Sequence, residues 1–248
     1  MRTTFEADMF PSTHWSAMSK ARGNDSAAAK AALDRLCVTY WKPVYRFIRH
    51  LGQTEEDAED LTQDFFRQQM VRRNLFLEAQ KEKGSLRKYV CVAVKRLVYD
   101  ANKKRQRLKR GGDQSFVSFE AAEEIDDALL DSTSSPDRYF DRQWAIATIG
   151  RVVTEFEADL VARGKEELLE ELRPYLMGPE TDTPQQEIAQ RLGMEPNALS
   201  SMLKRWRYKL GKAFRAEVAA TVPSENPREI EAEIVYLKGL FGSDGSQL

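Results

Sequence analysis

Apolar residues in this chain recur at spacings of three and four far more often than they alternate, and that period predicts helices almost throughout. Asp25 or Ser26 can cap a helix through Ala27–Leu51 whose buried stripe is Leu33, Leu36, Cys37, Tyr40, Trp41, Val44, Phe47, Ile48 and Leu51. Pro43 falls inside that stripe, so a kink or break is expected near Lys42, and Gly52 ends the element. Thr54, with Asp57 three residues on, is a capping signature for a second helix through about Arg72. A short loop, Glu78–Ser85, leads to a third helix with Leu86, Tyr89, Val90, Ala93 and Leu97 on its apolar face. With a shorter N-terminal piece around His14-Trp15, these helices make a compact bundle.

From Gly111 to Pro136 the pattern changes. Gly111-Gly112 stops the third helix, and Glu120, Glu123, Glu124, Asp126, Asp127 and Asp131 make an acidic stretch with the composition of a partly disordered linker. A second helical body follows. Trp144, Ile146, Ile149, Val152, Val153 and Phe156 form one amphipathic run, and Leu168, Leu169, Leu172, Tyr175 and Leu176 form another. In Thr183–Leu210 a helix-turn-helix is legible. Thr183 caps, Pro184 takes the first helical position, Ile188, Ala189 and Leu192 face inward, and Gly193 supplies the tight turn. On its second helix, capped by Glu195 and started by Pro196, Leu199, Leu203, Trp206 and Leu210 share one face. A tail, Val222–Leu248, carries Ile230, Ile234, Leu237, Leu240 and Phe241 at helical spacing; it is either a regulatory or docking helix or one simply packed on the body before it.

Charge sharpens this picture. The formal net charge of the 248 residues is only −1, yet Lys95, Arg96, Lys103, Lys104, Arg105, Arg107, Lys109 and Arg110 crowd the end of the third helix against one acid, Asp100. Runs of charge are usually solvated and ion-paired, but this one lacks acids of its own and suits a polyanion. On the second helix of the helix-turn-helix, Asn197, Ser200, Ser201, Lys204 and Arg205 oppose the apolar face, and Arg207, Lys209, Lys212 and Arg215 extend the charge. Small polar groups near a helix start can reach base edges in a major groove while cations hold phosphates. The bland alternative is an ordinary helical hairpin with a polar outer face.

Other chemistry is not indicated. The two histidines, His14 and His50, lie on different elements without an acid–base–nucleophile arrangement. Cys37 and Cys91 lack metal or disulfide spacing and read as small core residues of a reducing compartment. Neither a phosphate-cradling glycine loop nor an apolar run of the roughly 20 residues needed to cross a bilayer occurs. Arg2, Glu6 and Asp8 precede no apolar run, unlike a secretory signal. A cytoplasmic, non-enzymatic protein without metal or cofactor is expected.

Two nucleic-acid-facing units joined by a linker bring a family into view. The chain resembles bacterial RNA polymerase sigma factors of the extracytoplasmic-function group, which retain the second and fourth conserved regions. Glu55–Phe66 (EEDAEDLTQDFF) looks like the region-two helix that docks on the polymerase clamp. The basic helix aligns without gaps with the family's aromatic-led helix, with Leu86 and Tyr89 where Phe and Trp are usual and Asp100 at the usual Asp. The helix-turn-helix is similar to region four. Departures are the start Asn197-Ala198-Leu199-Ser200-Ser201-Met202 in place of a Thr-Val-Lys-Ser-Arg type, the longer stretch Glu155–Glu180, and the tail.

The resemblance implies an all-α protein of two helical domains: 1–110 like region two, 111–136 the acidic linker, 137–221 the region-four helix-turn-helix domain, and 222–248 an extension. It implies core RNA polymerase as partner through Asp57, Asp60, Leu61, Gln63, Asp64 and Phe65. It implies promoter DNA, duplex and single-stranded, as the second partner. The downstream element would meet Gly84, Ser85, Arg87, Lys88, Lys95, Arg96, Tyr99, Lys103 and Lys104, with a base flipped into the Glu78–Ser85 loop. The upstream element would meet Asn197, Ser200, Ser201, Lys204, Arg205 and Arg207. An anti-sigma factor or a regulatory kinase is a further expected partner, with Thr62 as the acceptor of a phosphate. The rival readings are a stand-alone helix-turn-helix regulator with a ligand-binding or dimerisation body, and a helical adaptor that binds no DNA.

Overall fold

A computed structural model describes residues 27–72, 85–109, 135–176, 185–222 and 226–241. Among these residues there are eight α-helices, one 3-10 turn and no strand. They are α1 (Ala27–His50), α2 (Glu55–Arg72), α3 (Leu86–Lys109), α4 (Pro136–Ala162), α5 (Glu166–Leu172), the 3-10 turn Arg173–Tyr175, α6 (Gln185–Arg191), α7 (Pro196–Thr221) and α8 (Pro227–Gly239). None of them is long and apolar enough to cross a membrane. His14-Trp15, the loop from Glu78 to Gly84, the linker 111–134 and the Thr183 cap lie outside the described residues.

Helix α1 continues through Pro43 without the expected break. A proline in a helix interior removes one intrahelical hydrogen bond; here that position is buried in the bundle, where neighbouring helices hold α1 on course. Tyr40, Val44, Phe47 and Ile48 are buried as the periodicity predicts. Trp41 instead stays 41% exposed and stacks on Phe66 of α2, ring centroids 5.1 Å apart. At the start of α2 the Thr54 hydroxyl oxygen accepts from the Asp57 N–H at 3.2 Å and donates to the Asp57 carboxylate at 2.8 Å. The capping signature is thus the helix start.

Packing on α3 is turned from the expected face. Leu86, Val90, Val94 and Val98 are the buried line, flanked by Arg87 and Cys91, while Tyr89, Ala93 and Leu97 are only partly covered. The rotation follows from α3 lying between α1–α2 on one side and α4 on the other, so two neighbours share its burial.

Two apolar cores result, and α4 and α7 contribute to both. The first joins α1, α2 and α3 with Phe140, Trp144 and Ala145 of α4, Val218 and Val222 at the end of α7, and Ile234 and Leu237 of α8. The second holds Val152 and Leu160 of α4 with Leu169, Leu172, Tyr175 and Leu176, Ile188 and Ala189 of α6, and Leu199, Leu203, Trp206 and Leu210 of α7. The residues expected as one domain, 137–221, therefore serve both cores. At 1.5 Å rise per residue, the 27 residues of α4 span about 40 Å, long enough to be common to both. Phe47 against Phe140, centroids 5.2 Å apart, and Arg46 donating to Gln143 at 2.8 Å fasten α1 to α4. The extension packs as α8 against α4 and α7, in the first core.

Candidate nucleic-acid interface

The two helices of the helix-turn-helix are joined by a left-handed glycine. After α6 the Gly193 N–H donates to the Gln190 carbonyl at 3.1 Å and the Met194 N–H to the Ala189 carbonyl at 2.8 Å. That pairing is a Schellman motif, which needs positive φ at its turning residue, and Gly193 has φ +61°. Three residues after Gly193, Pro196 starts α7, where its missing N–H costs nothing.

Burial fixes which side of α7 is free. Leu199, Leu203, Trp206 and Leu210 are buried, with Trp206 edge-on to Phe156 of α4 at 5.7 Å. At about 100° per residue, Asn197, Ser201 and Lys204 fall roughly opposite that line, with Ser200 and Arg205 on its two flanks, and all five are exposed. Tyr208, which sequence reasoning did not select, is 72% exposed on the same face, one turn beyond Lys204; its spacing from Lys204 was the available signal. Arg207 does not join this face. Its Nε and one terminal nitrogen donate to the Tyr175 carbonyl at 3.0 and 2.7 Å, so it ties α7 to the 3-10 turn instead of presenting its fork outward.

A second cationic face lies on α3. Lys88, Val92, Arg96, Tyr99 and Lys103 follow one another at spacings of four, four, three and four, all exposed, opposite the buried valines. The Lys103 ammonium sits 6.0 Å from the centre of the Tyr99 ring, and Lys104 is exposed beside it. An aromatic ring 65% open to water among cations can stack a base while its neighbours meet phosphates. Val92, also missed, completes the stripe.

Other residues expected on this face stand elsewhere. Arg87 is 0% exposed, and its guanidinium pairs with Asp141 of α4 and Glu233 of α8. Burial alone would push its proton affinity down, but the two carboxylates outweigh it and hold the guanidinium charged. Ser85 is buried and caps α3, its hydroxyl oxygen accepting from the Lys88 N–H at 3.4 Å. Lys95 pairs with Asp137 at the start of α4. That ammonium hydrogen-bonds to the Asp137 carboxylate and lowers its pKa. Gly84 and the rest of the preceding loop lie outside the described residues.

The acidic face of α2 is likewise narrower than expected. Asp60 and Gln63 are exposed, and Asp64 is partly exposed and pairs with Arg67. Asp57 is held by its capping role and by Arg105 of α3 at 3.1 Å. Leu61 leans on the first core, and Phe65, 2% exposed, lies within it, so it offers nothing to a partner docked on this face. Thr62 is no surface acceptor for a phosphate: it is fully buried, and its hydroxyl donates to the Ala58 carbonyl at 2.6 Å. Position on the α1-facing side of the helix decided this, which the acids around it obscured.

Among the described residues no group of three or more His, Cys, Asp or Glu side chains could hold a metal ion. Comparison of the chain with protein-family models, with curated proteins and with solved structures finds no match.

Proposed function

We propose that this protein directs RNA polymerase to promoters, as a sigma factor does: α7 reads duplex DNA, α3 takes a single strand, and the exposed acids of α2 dock on the polymerase. The observation that carries this reading is that one chain presents two separate cationic faces of different chemistry. The α7 face, small polar side chains followed by cations, suits base edges in a major groove. The α3 face, an open tyrosine between cations, suits unpaired bases. A protein that only bound duplex DNA has use for the first face but not the second. The order of acidic helix, basic helix and helix-turn-helix adds the resemblance to sigma factors.

Asp60, Gln63 and Asp64 are the groups on α2 placed to meet the polymerase. The test is capture of core RNA polymerase by the purified protein. Asp60→Lys with Asp64→Lys should abolish capture while the circular dichroism spectrum stays unchanged, since both side chains are at the surface. Undiminished capture by that variant would remove α2 as the docking face. A chain that binds promoter DNA but never the polymerase would instead be a stand-alone regulator, a reading favoured by the shared core that joins the α1–α3 body to α7 and α8.

A further inference from the structure

Helix α4 carries Asp137, Asp141, Trp144, Thr148 and Arg151 at spacings of four, three, four and three, a polar line on the side that faces the rest of the molecule. The partners of its charged members come from three other helices. Asp137 meets Lys95 of α3, Asp141 meets Arg87 of α3 and accepts from the Tyr236 hydroxyl of α8 at 2.7 Å, and Arg151 meets Glu217 of α7. Glu233 of α8 closes on Arg87 from the other side, and the Arg87 guanidinium lies 5.0 Å from the centre of the Trp144 ring. Two cations of α3 are thus covered by three carboxylates of α4 and α8.

An apolar seam would bind these helices more firmly. Withdrawing charges from water offsets most of their mutual attraction, so the buried Arg87–Asp141–Glu233 cluster contributes little net stability for the area it closes, and the solvent-exposed Lys95–Asp137 pair adds little more. What it contributes is exchangeability: carboxylate oxygens on a guanidinium and an ammonium can be replaced by phosphate oxygens of the same charge and geometry. The covered cations, moreover, sit on the helix whose exposed stripe carries Arg96, Tyr99 and Lys103.

We infer that α8, with the acidic start of α4, is an internal competitor for nucleic acid: Asp137, Asp141 and Glu233 occupy Arg87 and Lys95 until a strand displaces them. This rests on the reading of α3 as a single-strand face. In the closed form only the outer stripe of α3 is available, and binding is weak. When α8 and the first turns of α4 draw back from α3, Arg87 and Lys95 lose their carboxylates and add positive charge at the start of the helix, beside that stripe. Opening and strand binding are then coupled reciprocally, each favouring the other. Tyr236, 37% exposed, and Glu233 are the latch residues that can be altered without touching α3.

The experiment uses the full chain with Cys37→Ser and Cys91→Ser and spin labels at Val38→Cys and Val235→Cys, both exposed positions, on α1 and α8. The label-to-label distance distribution is recorded with and without a mixed-sequence single-stranded oligodeoxynucleotide, whose affinity is measured in parallel. The oligonucleotide should shift the distribution to longer distances. Glu233→Gln with Tyr236→Phe should populate the longer distance without DNA and tighten binding about tenfold, within the usual range of allosteric coupling. One unchanging short distance, or an opened latch with unchanged affinity, overturns the proposal. Should the double variant lose helicity, Tyr236→Phe alone, which removes one hydroxyl, must move both readouts the same way by less. Lys103→Ala with Lys104→Ala, far along α3 from the latch, separates the two ideas. If it weakens binding while the latch variant does not, α3 binds nucleic acid and only the latch is wrong; if it has no effect either, the single-strand reading of α3 fails.

Discussion

The His50 imidazole lies flat on the Tyr139 ring, with centroids 3.9 Å apart and planes 10° apart, joining the last turn of α1 to the first turns of α4. Burial in this stack disfavours the charged imidazolium and lowers the His50 pKa below its ordinary 6.5. Because the folded value is the lower one, the stack contributes its full stability above pH about 6.5 and loses it as the pH falls through the folded value. Thermal unfolding followed from pH 7.5 to 5 should show this decline, and His50→Phe, which keeps a ring in the stack, should flatten it. An identical pH profile in the variant would show that His50 titrates alike in both states.

Both cysteines should resist alkylation in the native protein. Burial raises the Cys91 thiol pKa furthest, with the neighbouring Asp137 carboxylate, 3.1 Å from Sγ, adding to it. Burial and Asp34 push Cys37 up to about 11. The thiolate is the reactive form, so at pH 8 iodoacetamide should modify neither at an appreciable rate, Cys91 least of all. Denaturant should release both together. Rapid native labelling of Cys91 would mean that the α3–α4 contact opens readily without DNA.

Gly193 gives a clean measure of backbone strain. Nothing lies within 4 Å of the position a Cβ would take there, so Gly193→Ala meets no clash and costs only the left-handed conformation at φ +61°. The expected loss is about 1–2 kcal/mol, or a fall in melting temperature of roughly 2–8 °C for a chain of this size. Gly193→Asn should cost less, because Asn tolerates this region better. Equal losses for the two variants would point to a cause other than backbone conformation.

On α7, specificity and affinity should separate by residue. Ser200→Ala or Ser201→Ala should change preference at individual base pairs by about 1–3 kcal/mol where the hydroxyl meets a base edge. Lys204→Ala should weaken binding to every duplex and flatten its salt dependence. Arg207→Ala should do neither. It removes the two bonds to the Tyr175 carbonyl, so its effect is a loss of stability of about 1 kcal/mol. Binding profiles across a randomised duplex library, read beside melting curves, distinguish the three. A uniform loss from all of them would mean that α7 does not read bases.

The elements of this protein were written locally. Thr54 before Asp57, Gly193 at φ +61°, Pro196 at a first helical position and the line Leu199–Leu203–Trp206–Leu210 each depend on residues within a turn or two, and the structure has them where the period of the sequence put them. So does the exposed face of α7, since it is simply the side opposite that line. The side of α3 that is free depended on more than its own sequence. Its apolar residues permitted two neighbouring faces, and only packing between α1–α2 and α4 selected the one bearing Val94 and Val98. Arg87 was legible as a cation on a basic helix but not as a buried one, because the carboxylates that neutralise it lie 54 and 146 residues away in the chain. Phe65 and Thr62 went the same way: an acidic helix reads as a surface, and which of its sides meets α1 is settled by packing. Periodicity is a property of one helix, whereas burial of a charge requires a partner, and partners are brought together only when the helices have packed.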